Sequence, residues 1–259
     1  MKIVVLMKQV PNTTEMLIDK ETGTLIRAGV DSIMNPDDTS ALEAALKIKK
    51  SNGAEVVVIT MGPPQAANML RECYGRGVDH AILISDPAFA GADTWATSNT
   101  LAAAIKRVQP DLIFAGRQAI DGDTAQVGPQ VAERLNIPQI TYVSKIVEVT
   151  SDYIVVKKHY EDFDETLKVS FPCLLTTLEQ LDHLRFMNVT SCWEAFDKPI
   201  EMVNNQILML EAKDIGLKGS PTQVRKTFTR PVSSEVKLIH GGSDEAVKAI
   251  LSTLAPYIQ

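Results

Sequence analysis

The chain has 259 residues, 45% of them apolar and 22% charged, a balance that suits a folded globular protein and excludes a disordered one. Its net charge of −6 speaks against non-specific binding to nucleic acid or to an anionic membrane, since both need clustered Lys and Arg. Three cysteines with no C-x-x-C pair suggest neither a disulfide framework nor a zinc knuckle, so free thiols in a reducing cytoplasm are expected.

In chain order, the start "MKIVVLMKQVPN" has too short an apolar run for a signal-peptide core, and no later run reaches the roughly 20 apolar residues of a membrane span. Within it, "KIVVLM" (2–7) predicts a first strand. A long connection follows, expected to hold a hairpin, "LIDKETGTLI", turning at Glu21 to Gly23. "PDDTSALEAALKIKK" (36–50) predicts a helix, because Leu42, Ala45 and Leu46 recur at i, i+3 and i+4 behind Pro36 and two acids. Then come a strand "EVVVITM" (55–61), a helix "PPQAANMLRECYGRG" (63–77) ended by Gly75 or Gly77, and a strand "HAILIS" (80–85). "DTWATSNTLAAAIKRV" (93–108) is a helix with Leu101, Ala104, Ile105 and Val108 on one face, and "DLIFAG" (111–116) a fourth strand. Strands this continuously apolar are covered on both faces, and their alternation with helices predicts an α/β fold with a doubly wound, mostly parallel sheet.

After Pro138 the pattern changes. "TYVSKIVEVT" (141–150), "DYIVVKKHYE" (152–161) and "ETLKVSFPCLLTTL" (165–178) contain alternating segments, which predict an added antiparallel segment with one wet face. From Leu184 order weakens into a polar stretch with Gly216, Gly219 and Pro221, followed by a last amphipathic helix. Its apolar stripe is Ala246, Val247, Ile250, Leu251 and Leu254. The expected division is an α/β domain over 1–183 and an extended C-terminal arm over 184–259 that buries its stripe on something else.

Several chemistries lack their residues. There is no G-x-x-x-x-G-K-[ST], G-x-S-x-G, H-E-x-x-H or post-strand G-x-G-x-x-G, and the four histidines have no metal-ligand spacing, so they are expected at the surface or at edges. No carboxylate is paired with an obvious base, and no side chain is assigned as a catalytic acid or base. What remains is the loops at the carboxyl ends of the parallel strands, where such sheets bind ligands. These are Leu6 to Lys8, "MNPDD" (34–38), Met61 to Pro64, "GADTWAT" (91–97) and "GRQAIDGDTAQVGPQ" (116–130).

In the last loop, Pro129 cannot sit deep in a helix, so the helix carrying Val127, Val131 and Leu135 must begin between Thr124 and Gly128. Its first N–H groups either bind a phosphate or are capped by Asp123 or Thr124, with Gly122 permitting the turn. For "NPDD" the ordinary helix start is favoured. Thr94, Thr97, Ser98 and Thr100 are more hydroxyls than one first turn needs; they either form a solvated face or meet a pocket, where they would bond a ring nitrogen or ribityl oxygen. Trp95 is read as packing.

Together, "VLMKQVPN", "MNPDD", "TMGPPQA", "FAGRQAIDGDTAQVGPQVAERL" and "RFMNVTSCWEAFDKPI" resemble the beta (small) subunit of electron transfer flavoprotein, over nearly the whole chain to "GLKGSPTQV". The resemblance implies a heterodimer with an alpha subunit. In the housekeeping form the beta subunit holds AMP. In the bifurcating form a second FAD takes that place, NADH reduces it, and electrons divide between ferredoxin or flavodoxin and the alpha-subunit FAD, which feeds an acyl-CoA dehydrogenase or a quinone. Carried over by position, the resemblance implies adenine and phosphate contacts at Leu6, Asn35, Asp38, Met61, Gly62, Asp121, Gly122, Asp123, Thr124, Gln126, Val127, Gly128, Pro129 and Gln130. The hydroxyl-rich "ADTWAT" is similar to the bifurcating version, making Asp93, Thr94 and Thr97 the flavin candidates. Val189 stands where the family docks its dehydrogenase, with Met187 and Trp193 nearby, although Glu194, Phe196 and Asp197 depart from the lysine-rich housekeeping loop. The bifurcating form is expected; the alternatives are the AMP-binding form and a non-redox nucleotide sensor on the same fold.

Overall fold

The computed structural model describes residues 1–12, 31–224 and 238–257. The expected hairpin at 17–26 lies outside them. The elements are β1 (Lys2–Leu6), β2 (Gln9–Pro11), β3 (Ser32–Met34), α1 (Pro36–Asn52), β4 (Glu55–Met61), α2 (Ala67–Gly75), β5 (His80–Ile84), α3 (Thr94–Val108), β6 (Leu112–Gly116) and α4 (Val127–Leu135). They continue with β7 (Gln139–Val149), β8 (Tyr153–His159), β9 (Asp164–Ser170), β10 (Cys173–Thr177), α5 (Val189–Ala195), β11 (Ile200–Val203), α6 (Asn205–Leu208) and α7 (Ser243–Leu254).

The main sheet runs β11-β5-β4-β1-β6-β10-β7-β8-β9, parallel from β11 to β7 and antiparallel beyond. Alternation of side chains along β1 serves both layers. Ile3 and Val5 pack with Leu42 and Leu46 of α1 and Leu70 of α2, while Val4 and Leu6 pack with Leu101 and Ile105 of α3 and Val131 of α4. Helix α1 has the ends its sequence predicts: Pro36 at the start, Asp37 and Asp38 in the first turn, Lys49 and Lys50 in the last, and Gly53 in a left-handed cap.

The structure corrects two expectations and adds an element of which the chain gave no sign. β10 was expected among antiparallel strands with a wet face, but all five of its residues are buried and it lies parallel between β6 and β7. Residues 9–11 and 32–34 form a two-stranded ribbon that the strand patterns do not signal, three residues being too few for a period. The stretch after Leu184, read as part of an arm, adds β11 to the edge of the sheet beside β5 and packs α5 on α2.

Compactness divides the chain into Met1–Arg225 and Lys226–Gln259. The described part of the second unit, residues 238–257, holds α7, whose Val247, Ile250, Leu251 and Leu254 are all exposed. Among the described residues no helix is long and apolar enough to cross a membrane, and no group of three or more potential metal ligands assembles. The four histidines are exposed and the three cysteines are free thiols.

Candidate functional site

Chain order puts a switch in the sheet between β1 and β6. From β1 the connection through α1 leads to β4 on one side, whereas β6 lies on the other. Connections leaving in opposite directions open a crevice at the carboxyl ends, the usual ligand position in such sheets. Here it is bounded by Leu6 to Lys8, by the start of α1 and by the loop from Gly116 to Gln126.

The start of α1 is bound into the crevice by buried polar side chains. Asn35 stands at the N-cap of α1, but its side chain makes no cap bond. It is completely buried, its Nδ2 donating to the Gln118 carbonyl at 2.7 Å and its Oδ1 accepting from the Ile120 amide at 3.1 Å, so it pins the long loop to the helix. Asp38 accepts from the amides of Lys8 at 2.7 Å and Gly116 at 3.0 Å, tying β1, α1 and β6 together. Burial pushes its carboxyl up to about 7, while hydrogen bonds, including those two amides, pull the other way. Gly116 is required by this approach: a Cβ there would stand 2.2 Å from Asp38 Oδ1 and 2.9 Å from the Asp38 backbone nitrogen. Asp37 accepts from the Glu179 amide at 3.0 Å and pairs with Arg117 at 3.3 Å.

The loop of residues 117–126 settles the choice left open for α4. Its N-cap is Gln126, with no side-chain cap bond, so neither Asp123 nor Thr124 closes the helix. Gly122 is not the left-handed residue; Asp123 and Ala125 are, at φ 47° and 52°. Non-glycine residues avoid that region at a cost of about 1–2 kcal/mol. Left-handed Ala125 is followed by right-handed Gln126, the kind of alternation from which anion-binding backbone turns are built. Asp121 pairs with Lys8 Nζ at 2.6 Å, and Asp123 accepts from Gln118 Nε2 at 2.8 Å. Gly122 is exposed with open space beside it. Gly128 is buried, and a Cβ on it would meet Thr176 Cγ2 at 2.6 Å, so glycine lets α4 approach β10. Val127, Pro129 and Gln130 fill the same first turn.

A second polar group joins the starts of α3 and α4. Thr94 Oγ1 donates to Gln126 Oε1 at 2.8 Å, Gln130 Nε2 reaches Thr94 at 3.4 Å, and Ser98 donates to Gln130 Oε1 at 3.0 Å. Arg134 Nε donates to Ser98 at 2.8 Å, and its guanidinium lies 4.1 Å from the centre of the Trp95 ring. Trp95 is therefore not core packing, as the sequence reading had it, but 47% exposed with a cation on its ring. Asp93 caps α3 through the Ala96 amide at 3.0 Å, and its other oxygen accepts from Thr222 Oγ1 at 2.7 Å and the Thr222 amide at 3.0 Å. Thr97 is half-buried one turn above Thr94. A concavity of about 470 Å³ lined by Trp95, Lys218, Gly219, Ser220 and Pro221 opens beside this group. Another, of about 350 Å³, is lined by Gly53 to Glu55, Lys49, Asp79 and His80, at the amino ends of β4 and β5 away from the crevice.

The structure thus ties Asn35 and Asp38 to the strand end and loop that lead to α4, and joins Thr94 to α4 through Gln126 and Gln130, while Leu6, at the end of β1, is buried in the core beside α3 and α4. Met61 and Gly62 stand at the end of β4, two strands from β6, with the Gly62 amide donating to the Ile84 carbonyl at 3.0 Å. Sequence reasoning passed over Gln118 and Arg134, and named Lys8 and Ser98 only as members of their loop and hydroxyl group without a partner. Lys8 carried a signal, being the first charge after a strand that ends in the crevice. Away from it, Val189 and Trp193 on α5 are 88% and 78% exposed, and Met187 is 39% exposed.

The electron transfer flavoprotein domain model matches residues 22–187. The chain is 51% identical over 254 residues to the electron transfer flavoprotein subunit beta of Clostridium acetobutylicum, covering 98% of each. It is 51% identical over 257 residues to subunit CarD of the caffeyl-CoA reductase-Etf complex of Acetobacterium woodii, and 43% over 262 to the acryloyl-CoA reductase electron transfer subunit gamma of Anaerotignum propionicum, again covering 98% of each. This chain belongs to the electron transfer flavoprotein family, as a beta subunit.

Proposed function

We propose that the chain is the beta subunit of a bifurcating electron transfer flavoprotein, a cytoplasmic heterodimer with an alpha subunit, and that its crevice holds FAD. The observation that carries this is the hydrogen-bonded bridge Gln126–Thr94–Gln130. It extends the phosphate end of the crevice to a second helix start bearing hydroxyls. A bare AMP leaves that extension unused, while a longer flavin nucleotide reaches it. Relatives named as parts of caffeyl-CoA and acryloyl-CoA reductase complexes support an acyl-CoA-linked acceptor.

The residues fit the group. The start of α4 has no side-chain cap and follows a backbone alternation of the anion-binding kind, so the N–H groups from Thr124 to Gly128 would hold the phosphates. Leu6 and Met61 would enclose the adenine, with Asn35, Asp38 and Gly62 shaping the floor and Asp121, Asp123, Pro129 and Gln130 fixing the loop. Thr94 and Thr97 would meet the flavin. Asp93, with both oxygens engaged by Ala96 and Thr222, would act by setting the direction of α3. When bound, FAD would take two electrons from NADH and pass them on singly, to ferredoxin or flavodoxin and to the alpha-subunit FAD. No side chain need exchange a proton; the chain orients the cofactor.

Val189, Met187 and Trp193 would dock the acyl-CoA dehydrogenase. Large apolar side chains this exposed mark an interaction site, and a small interface suits a partner that must leave after each transfer. Counting flavins in the purified heterodimer tests the function. Two per dimer, with bleaching by NADH, is the expected result; one flavin plus AMP would establish the AMP-binding form, and a colourless nucleotide-binding complex the sensor.

A further inference from the structure

One face of α1 carries four polar side chains, Asp37, Ser40, Glu43 and Lys47, and every one grips the segment that leaves β10. Asp37 holds the Glu179 amide at 3.0 Å. Ser40 Oγ donates to the Leu178 carbonyl at 2.9 Å and accepts from the Asp182 amide at 3.0 Å. Lys47 pairs with Asp182. Glu43, only 4% exposed, accepts from Arg185 three times: from its amide at 3.0 Å, from Nε at 2.9 Å and from Nη2 at 2.8 Å. Burying a carboxylate costs several kcal/mol, and only a complete set of charged partners offsets it. A two-pronged guanidinium does so in one orientation, which fixes where residue 185 points.

The far end of the same segment is held by α2. Arg71 donates to the Ala195 carbonyl at 2.7 Å and to the Lys198 carbonyl, and the Tyr74 hydroxyl donates to the Pro199 carbonyl at 2.6 Å. Gly75 makes room beneath, since a Cβ there would lie 2.9 Å from Met187 Sδ. Between the two clamps stand Phe186, 98% exposed, with Val189, Trp193 and Phe196. Holding four such side chains in water is unfavourable, so apolar burial does not account for their position.

We propose that Arg185, through Glu43, and Arg71 are positioning residues that hold this apolar ridge in one conformation for the dehydrogenase without touching it. The inference rests on the docking role given above to Val189, Met187 and Trp193. A ridge already ordered spares the ordering cost at each encounter, so loosening either clamp weakens docking and leaves the electron-carrying end intact.

The test uses the flavin-loaded heterodimer with Arg185→Gln and, separately, Arg71→Gln. KM for an acyl-CoA dehydrogenase should rise about tenfold, roughly the loss of one charge-assisted contact, with kcat and flavin content unchanged. Hydrogen exchange over residues 186–196 should quicken in both variants. Arg185→Lys should restore only part of the KM, because an ammonium cannot bind both carboxylate oxygens as a fork. Wild-type KM in both glutamine variants would overturn the inference, as would a KM rise that in both comes with lost flavin, the mark of general misfolding. Trp193→Ala separates the two ideas. A raised KM there with normal glutamine variants sinks the clamps alone, while an unchanged KM sinks the docking role and the clamps with it.

Discussion

Asn35 in the crevice is wholly buried and spends both ends of its amide on the loop it faces; Phe186 on the ridge is almost wholly exposed, held outward by residues below it. The two regions hang on the same helix, α1, whose first turn shapes the crevice and whose middle grips the chain leading to the ridge. At the crevice, main-chain groups and short polar side chains are fixed at hydrogen-bond distance, which suits a small ligand held throughout the life of the protein. At the ridge, bulky side chains offer area and few polar atoms, which suits a partner that comes and goes. The same molecule therefore separates what must be geometrically exact from what must be merely sticky, and a substitution should reveal which region it belongs to.

The largest effect is expected at Gly116. Gly116→Ala forces a Cβ into Asp38 and should cost about 3 kcal/mol of unfolding free energy together with the bound nucleotide, measured by denaturant unfolding and by release of nucleotide on denaturation. A stable, loaded variant would mean the crevice is not packed as described. Next is Asp38, whose folded carboxyl titrates near 7 against an ordinary value of 3.8. A raised acid is stabilising when protonated, so this contribution is present below about pH 4 and is lost as pH rises toward 7. Relative to Asp38→Asn, wild-type stability should therefore fall over that window, and parallel pH profiles for the two proteins would refute it.

On the ridge the pattern should invert. Trp193→Ala should leave the unfolding free energy within about 0.5 kcal/mol yet raise KM for the dehydrogenase about tenfold, as read in steady-state coupling; a marked loss of stability would put the indole in the fold rather than at an interface. The smallest effect is expected from Thr94→Ala combined with Thr97→Ala, where flavin affinity should weaken severalfold with AMP binding retained. Unchanged flavin content and unchanged reduction by NADH in that variant would remove both threonines from the site.

Much of this arrangement is legible along the chain. The nearly continuous apolar runs at 2–7, 55–61, 80–85 and 111–116 each became a parallel strand, because runs so poor in polar residues suit strands covered on both faces. Pro129 placed the start of α4 within a residue or two. The cap alternatives at Asp123 and Thr124 were not decidable from composition, since a side chain that is able to cap is not obliged to when its backbone takes another turn. Trp95 was misread for a related reason: its area argues for burial, but Arg134, far off in sequence, supplied a partner that lets the ring stay at the surface.

What the sequence determined by itself was local. It set the order of strands and helices, the helix ends and the loops with too many functional groups for mere connections, because these follow from the period of apolar residues and from the backbone limits of Pro and Gly. The tertiary structure decided what depends on neighbours distant in the chain. It put β10 between β6 and β7, brought Asp38 to the amides of Lys8 and Gly116, and set Glu43 under Arg185. Apolar runs specify that a strand is covered without specifying by which strand, and a carboxylate finds its partners only once the sheet has brought them within hydrogen-bond reach.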